Sequence, residues 1–170
     1  MIFVSVGTHE APFDRMLRAV DELEIDEQIV IQHGPSNVRC ARAIESEFLS
    51  FDEVVEYVRE ARAVVMHAGV GSVMISLANG KRPIVMPRLE RLGEHVDDHQ
   101  LELARRLEVS GLVTVVEDSA ALAESLARPA EPPGRMSGMP WLGTDLREYL
   151  AEHLGPPVQA SSTSPKSSQS

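Results

Sequence analysis

Short, mainly apolar runs alternate along this chain with longer segments whose apolar residues recur at helical spacing. The runs interpreted as strands cover residues 2–6, 28–32, 48–49, 64–66, 83–86 and 113–116. The segments interpreted as helices cover residues 12–23, 52–61, 72–78, 95–107 and 119–127, and Asp52 is the expected N-cap of the second. Strands without polar alternation are typically buried on both faces, and helices between them provide parallel crossovers. The pattern predicts an α/β protein with a Rossmann-like parallel sheet covered on both sides.

The sequence beyond this body changes character twice. Residues 128–140 are rich in Pro and Gly and are interpreted as a linker, so the Rossmann-like domain is expected to cover residues 1–127. Residues 141–154 have helical spacing with Thr144 as N-cap, and residues 155–170, rich in Ser and Pro, are expected to be disordered. The apolar stripe of the predicted helix must be buried on this chain's own sheet or on another protein; it comprises Trp141, Leu142, Leu146, Tyr149, Leu150 and Leu154.

Composition narrows the class of protein. With 170 residues, 43% apolar and 25% charged, the chain is typical of one globular domain. A formal net charge of -10 without a basic stripe argues against a nucleic-acid partner. The single cysteine, Cys40, cannot form an internal disulfide, and the first residues lack a basic segment typical of a signal peptide, so a cytoplasmic location is expected. No apolar run approaches 18 residues, so any membrane contact is expected to come through a partner.

Glycines mark the loop after the fourth predicted strand. Gly69 and Gly71 surround one valine, and Ser72 follows where a helix is expected to begin. A helix start exposes unpaired N–H groups and the positive end of the helix dipole, which favours an anion such as a diphosphate. The spacing matches neither the dinucleotide fingerprint nor the P-loop. A tight turn that merely needs glycine is the alternative interpretation.

A second unusual loop follows the fifth predicted strand. Six polar side chains fall within seven positions, namely Glu94, His95, Asp97, Asp98, His99 and Gln100. Planar donors and acceptors at a strand end suit the hydroxyl groups of a sugar, because ligands of parallel α/β sheets bind beyond the carboxyl ends of strands. Two alternatives remain: a solvated loop in which Asp97 or Asp98 caps the next helix, and a metal site formed by His95, Asp98 and His99.

Four motifs in order resemble one known family: "FVSVGTHEAPFDRML", "FLSFDEV", "HAGVGSVMISLANGKRPIVMPR" and "GEHVDDHQLELA". Over residues 1–127 the chain resembles the C-terminal, donor-binding domain of glycosyltransferase family 28. It is most similar there to small stand-alone subunits of bacterial exopolysaccharide glycosyltransferases, which resemble the catalytic subunit of the eukaryotic dolichol-linked N-acetylglucosaminyltransferase. The resemblance implies one half of a GT-B fold, in which two Rossmann-like domains face each other across a cleft.

The resemblance also implies roles for the loop residues. Gly69, Gly71 and Ser72 would hold the diphosphate of a nucleotide sugar, and Gly7 and Thr8 would lie beside it.

The nucleoside would lie against Phe48, Leu49 and Ser50. The peptidoglycan-precursor enzyme of that family contacts the ribose with a glutamate in the first turns of the helix after the glycine loop. Here Ile75 and Ser76 occupy the equivalent positions, and Ser76 is the candidate replacement.

The sugar would be bound by Glu94, Asp98, His99 and Gln100, and His9 is the candidate general base. His67 is a further candidate for ligand contact, with core packing as the alternative.

The implied function is transfer of a hexosyl group from a UDP-linked sugar, without metal or other cofactor. The acceptor, a lipid-linked saccharide, would be held by a membrane-associated partner subunit, because the second GT-B domain is absent. The predicted helix at 141–154 would then clasp that partner. A non-catalytic nucleotide-sugar-binding regulatory module and a homodimeric sugar epimerase are the alternatives.

Overall fold

The computed structural model describes residues 1–134. The predicted helix at 141–154, the tail at 155–170 and the end of the 128–140 linker lie outside the described residues, so these remain predictions. Within residues 1–134, none of the helices has the length and apolar character needed to cross a bilayer.

Six parallel strands form one sheet in the order β3-β2-β1-β4-β5-β6. The strands are β1 (Ile2–Ser5), β2 (Ile29–Gln32), β3 (Ala43–Ser46), β4 (Ala63–His67), β5 (Ile84–Met86) and β6 (Thr114–Val115). The helices are α1 (Asp14–Asp21), α2 (Phe51–Glu60), α3 (Val70–Ala78), α4 (His99–Val109) and α5 (Ser119–Ala127), with a short 3-10 turn at Glu90–Leu92. This is the strand order of the Rossmann fold, so the predicted fold class is confirmed.

The central strands hold the core and also determine where a ligand can bind. β1 lies between β2 and β4, with Val4 opposite Ile31 on one side and Val65 on the other, and all three are completely buried. The chain builds the sheet outward from β1 in one direction and then, from β4, in the other. Loops leaving β1 and β4 therefore diverge and open a crevice beyond their carboxyl ends, which is the usual ligand position in such sheets.

The third strand is not where the apolar pattern placed it. Phe48 and Leu49 lie in a loop, and the strand is Ala43–Ser46, which pairs with β2 alone at the sheet edge. An edge strand is covered less completely, and Ile44 is 54% exposed, so β3 lacks the continuous apolar signature of a central strand.

The cap of α2 and the start of α4 also differ from the prediction. Ser50, rather than Asp52, caps α2: its hydroxyl accepts from the Glu53 N–H, while the Glu53 carboxylate accepts from the Ser50 N–H at 2.8 Å. This reciprocal pair satisfies two N–H groups, which makes Ser50 the stronger cap. α4 begins at His99 instead of His95, because residues 94–98 form bends in which the Asp97 carboxylate contacts His95 Nδ1 and accepts from the His99 N–H.

Candidate functional site

Three loops meet at the carboxyl edge of the sheet, as the sequence predicted. They follow β1, β4 and β5, which are neighbours in the sheet, and they comprise residues 6–13, 68–69 and 87–98. Parallel neighbours end at the same edge, so residues that are 80 positions apart in sequence come together here.

The middle loop leads directly into α3 without a capping side chain. Gly69 is the N-cap with extended backbone (φ −73°, ψ 135°), and among residues 1–134 this helix start has no side-chain cap. The first N–H groups of a helix have no intrahelical acceptors, and they carry the positive end of the dipole. Gly71 and Ser72 lie in this first turn, so the predicted anion site has the expected backbone geometry.

His67 explains why two of the glycines are required. Its imidazole lies against both neighbouring loops: a Cβ on Gly7 would come within 2.3 Å of the ring Cε1, and one on Gly69 within 2.3 Å of Nε2. Gly7 also has a φ of +80°, a backbone angle that residues other than glycine rarely adopt. Positions 7 and 69 therefore need glycine to seat a histidine inside the protein, independently of any ligand.

The environment of His67 keeps its imidazole neutral. Nδ1 is buried and makes no hydrogen bond within residues 1–134. Burial, and then the positive charge of Arg88, lower the His67 pKa to about 4, although the Ser5 backbone acts in the opposite direction. At neutral pH the ring therefore contributes shape and hydrogen-bonding capacity to the site, but no charge.

The loop after β1 uses its main chain inside the protein and presents two side chains outward. The Gly7 N–H donates to Ser5 Oγ at 3.2 Å, and the Gly7 carbonyl accepts from Gln32 Nε2 at 3.2 Å. Thr8 and His9 are exposed at the edge. The predicted contact of Gly7 with a diphosphate therefore cannot use its N–H in this conformation, whereas Thr8 is accessible.

His9 is held as a hydrogen-bond acceptor. Its Nδ1 accepts from the Ala11 N–H at 3.0 Å, and its ring centroid lies 5.1 Å from that of His95. Burial, followed by the charges of Arg88 and His95, lowers the His9 pKa, with Glu10 opposing the shift. A neutral ring accepting at Nδ1 carries its proton on Nε2. His9 therefore presents a donor, Nε2–H, to the outside of the protein. To act as a general base through Nδ1, it must first break the hydrogen bond from the Ala11 N–H.

Arg88 is the residue of the site that the sequence interpretation overlooked. It follows β5 directly and is completely buried, with its guanidinium over the Phe13 ring at 4.5 Å. The one signal in the sequence is a charged residue at the end of a wholly apolar run, which is rarely buried unless it is paired. Its partners come from two separate loops and become visible only in the folded chain.

Glu94, a predicted sugar ligand, is engaged inside the protein. Its Oε1 accepts from Arg15 Nε at 2.9 Å, and its Oε2 accepts from Arg15 Nη2 at 2.8 Å and from the Leu89 N–H at 3.0 Å. The bidentate pair ties α1 to the loop after β5 and is only slightly exposed. The carboxylate is thus used for support, and the sequence contained no signal for Arg15 as its partner.

The other predicted sugar ligands lie at the end of the third loop and the start of α4. Two of them form hydrogen bonds inside the protein, and one is exposed. Asp98 Oδ1 accepts from the Glu90 N–H at 3.0 Å, and Gln100 Oε1 accepts from the Arg88 N–H at 3.4 Å. The His99 side chain is 83% exposed, with Nδ1 3.2 Å from Asp97. The side-chain amide oxygen of Gln100 accepts the hydrogen bond from the Arg88 N–H, so the side-chain NH2 group is left to donate to another acceptor.

The alternative metal site does not assemble in the structure. Among residues 1–134, no group of three or more His, Cys, Asp or Glu side chains could hold a metal ion. His95 and His99 instead both contact Asp97, at 3.1 and 3.2 Å.

The predicted nucleoside contacts have mixed positions. Phe48 is 52% exposed and Leu49 is half-buried, so both are accessible beside the edge. The Ser50 hydroxyl is engaged with Glu53 as part of the α2 cap. Ser76 requires correction as a ribose contact: it is completely buried and donates to Met66 Sδ at 3.5 Å, because it faces the sheet from α3.

Comparison with known families identifies the class of protein. Residues 1–136 match the model of the glycosyltransferase family 28 C-terminal domain. The chain therefore belongs to this family, and the resemblance seen in its motifs is confirmed.

Individual relatives agree with this assignment. The chain is 32% identical over 124 residues to the human UDP-N-acetylglucosamine transferase subunit ALG13, a match covering 65% of this chain and 10% of that protein. Among solved structures, the calicheamicin glycosyltransferase CalG4 superimposes with a TM-score of 0.56 at 16% identity over 91% of this chain and 44% of its own. The glycosyltransferase SnogD from Streptomyces nogalater gives 0.55 at 19% identity over 89% and 39%. The chain thus spans a tenth of the curated relative and about two fifths of these structures, whose shared fold is that of one half of a GT-B glycosyltransferase.

The seating of His67 yields a first prediction. Gly69→Ala should lower the free energy of unfolding by about 1–3 kcal/mol, because the new methyl group overlaps the imidazole while the extended backbone at residue 69 accepts alanine. In a His67→Ala background the same change should cost much less, as measured by a double-mutant cycle in urea. Gly71→Ala, inside α3, is the matched control and should be neutral or stabilising. Equal costs of Gly69→Ala in the two backgrounds would contradict the packing argument.

Proposed function

We propose that this chain is the donor-binding subunit of a glycosyltransferase that transfers a hexosyl group from a UDP-linked sugar. The acceptor is a lipid-linked saccharide held by a membrane-associated partner subunit, and the chain acts at the cytoplasmic face of the membrane. The observation that carries the proposal is the uncapped start of α3 at the crevice between β1 and β4, within a family 28 domain.

The chemistry of transfer fits this edge of the sheet. The bond between the anomeric carbon and the diphosphate breaks while an acceptor oxygen attacks, so negative charge grows on the leaving phosphate. N–H groups of Gly71 and Ser72, aimed from a helix start, stabilise that charge more strongly in the transition state than in the ground state. Preorganised donors of this kind permit transfer without a divalent ion.

The assignment of UDP is supported by the human relative, which is named a UDP-N-acetylglucosamine transferase subunit. Phe48 and Leu49 offer an accessible apolar surface for the base. Because Ser76 is buried, the ribose contact must come from another residue, and partly exposed Ile75 can give only packing.

The requirement for a partner rests on the size of the domain. The solved relatives are more than twice as long as the part that this chain matches, and the human relative is named a subunit. A second chain that carries the acceptor site would complete the cleft. His9 donates outward in this conformation, so we assign the general base to that partner or to a His9 released from Ala11.

A non-catalytic module that binds a nucleotide sugar is the alternative, and it would use the same donor site. The two proposals differ in whether the sugar is transferred to an acceptor. The chain co-expressed with a membrane-associated partner should move labelled sugar from UDP-linked donor to membrane lipid extract, and each protein alone should not. Stable donor binding without transfer by any such pair would favour the regulatory module.

The diphosphate site is tested by one side chain at the helix start. Gly71→Val should abolish detectable UDP binding in calorimetry, because an isopropyl group covers the N–H groups of the first turn. Gly71 is helical, so the backbone accepts valine and circular dichroism should stay unchanged.

Ala78→Val, exposed at the other end of the same helix, is the matched control and should bind UDP like wild type. UDP affinity that is unchanged in Gly71→Val would remove the diphosphate assignment.

Gln100 is tested by comparing two ligands. Gln100→Ala should weaken binding of a UDP-sugar about fivefold, the value of one hydrogen bond of about 1 kcal/mol, while free UDP should bind nearly as before. The orientation of its amide by the Arg88 N–H leaves NH2 as the group that donates to a sugar hydroxyl. Gln28→Ala, exposed at the opposite end of the sheet, is the control. Equal weakening of both ligands would exclude a role in reading the sugar.

A further inference from the structure

Arg88 joins two loops of the site through carbonyl oxygens. Its Nη1 donates to the carbonyls of Ala11, Pro12 and Glu94 at 3.0, 3.2 and 3.2 Å, and its Nη2 donates to the Val6 carbonyl at 3.2 Å. Three of these acceptors belong to the loop after β1 and one to the loop after β5. A single planar guanidinium therefore fixes the distance between the two loops.

The acceptors on the first loop are placed at both of its ends. Val6 and buried Gly7 precede the exposed residues 8–10, and Ala11 and Pro12 follow them, so both ends of this short loop are hydrogen-bonded to the same side chain. Thr8, the accessible residue of the predicted diphosphate site, is carried on the loop that Arg88 holds.

Within residues 1–134, no carboxylate forms a hydrogen bond with the Arg88 guanidinium. The nearest acid, Glu94, gives both carboxylate oxygens to Arg15 and Leu89, and only its main-chain carbonyl reaches Arg88. Burial lowers the Arg88 pKa to about 10, the Glu94 carboxylate opposes this shift and Arg15 adds to it, and the group is still charged at neutral pH. Arg15 and Arg88 thus share the single carboxylate of Glu94, and a buried charge that is only partly compensated is costly to keep.

Other polar atoms at the same edge also lack partners. Within residues 1–134, the buried side-chain atoms without a hydrogen bond are Gln32 Oε1, His67 Nδ1 and Arg88 Nε. They lie at or just past the carboxyl ends of β2, β4 and β5, around the crevice. Unsatisfied buried groups are rare in folded proteins, and their concentration at one edge indicates a site shaped for a ligand.

We propose that Arg88 is a positioning residue for the transfer reaction: it holds the Gly7–Glu10 loop in place and sets a buried positive charge beneath the donor diphosphate. This inference rests on the proposed function, since it assumes a diphosphate at this edge. The diphosphate balances the positive charge that Glu94, shared with Arg15, compensates only in part, and the charge that grows on it during bond cleavage meets a cation already fixed by four carbonyl groups.

Charge and packing are separated by two substitutions. Arg88→Met keeps most of the side-chain volume and removes the charge, whereas Arg88→Lys keeps the charge and loses the planar fork. Arg82→Met is the matched control, because Arg82 also bonds a carbonyl, that of Val113, but at the amino end of the strands.

Affinities for UDP and for uridine, measured by calorimetry and by chemical-shift titration, give the decisive ratio. In Arg88→Met, UDP should bind at least about tenfold more weakly while uridine changes less than about twofold, because the cation acts on phosphate alone. Arg88→Lys should keep the wild-type ratio despite a lower melting temperature, and Arg82→Met should leave both ligands unaffected.

An unchanged ratio of UDP to uridine affinity in Arg88→Met would overturn the proposal. Equal weakening of both ligands would give Arg88 a structural role only. If Arg88→Met does not fold, Arg88→Lys decides alone: a ratio that falls tenfold despite the retained charge overturns it. Failure of the wild type to bind UDP would instead refute the proposed function, which separates the two failures.

A measurement without ligand tests the charge directly. The His9 pKa, followed by NMR of its imidazole, should rise in Arg88→Met because one cause of its depression is removed, and should stay depressed in Arg88→Lys. A His9 pKa that is the same in all three proteins would show that the charge of Arg88 does not reach the edge, and would overturn the proposal whatever UDP does.

Discussion

The carboxyl edge of this domain depends on the hydrogen bonds between the buried Arg88 guanidinium and the carbonyls of two loops. Neither loop has regular secondary structure over most of its length, so each would otherwise lose conformational entropy without compensating contacts. The Phe13 ring beneath the guanidinium completes the arrangement. Arg15 and Glu94 then add a bidentate bridge from α1, so the loop after β5 is held from two directions.

A second constraint acts at the crevice itself. His67 ends β4 and needs glycine in the loops on both sides of it, at positions 7 and 69. The same glycines keep side chains away from the start of α3, so a requirement of internal packing also leaves the helix terminus open. Structural and ligand-binding explanations of the glycine loop are therefore complementary: residues 7 and 69 make room for the histidine, whereas Gly71 lies in the first turn of α3, where the N–H groups have no intrahelical acceptor.

Within residues 1–134, the predicted site lies at the carboxyl edge of the sheet, where the side chains of Thr8, His9 and His99 are exposed. A hollow of about 500 Å³ lies at the opposite, amino end of the strands, beside Arg62, Lys81 and Arg82, and these cations bond main-chain carbonyls there. The solved relatives are more than twice as long as the part that this chain matches. In our proposal, the other side of the cleft is contributed by the partner subunit.

The sequence by itself determined the parallel α/β fold. Strands that are buried on both faces appear as short apolar runs, and in this chain such runs alternate with segments of helical spacing. It also located the three loops and the helix start at Gly69–Ser72, since parallel strands end at one edge. It misplaced β3 and the α2 cap, where an edge strand and a competing serine weaken the pattern. Only the tertiary structure decided how Glu94, Ser76 and Arg88 are used. Their partners Arg15, Met66 and Val6 are distant in sequence or on another element, and hydrogen bonds between such groups depend on a packing that no local pattern records.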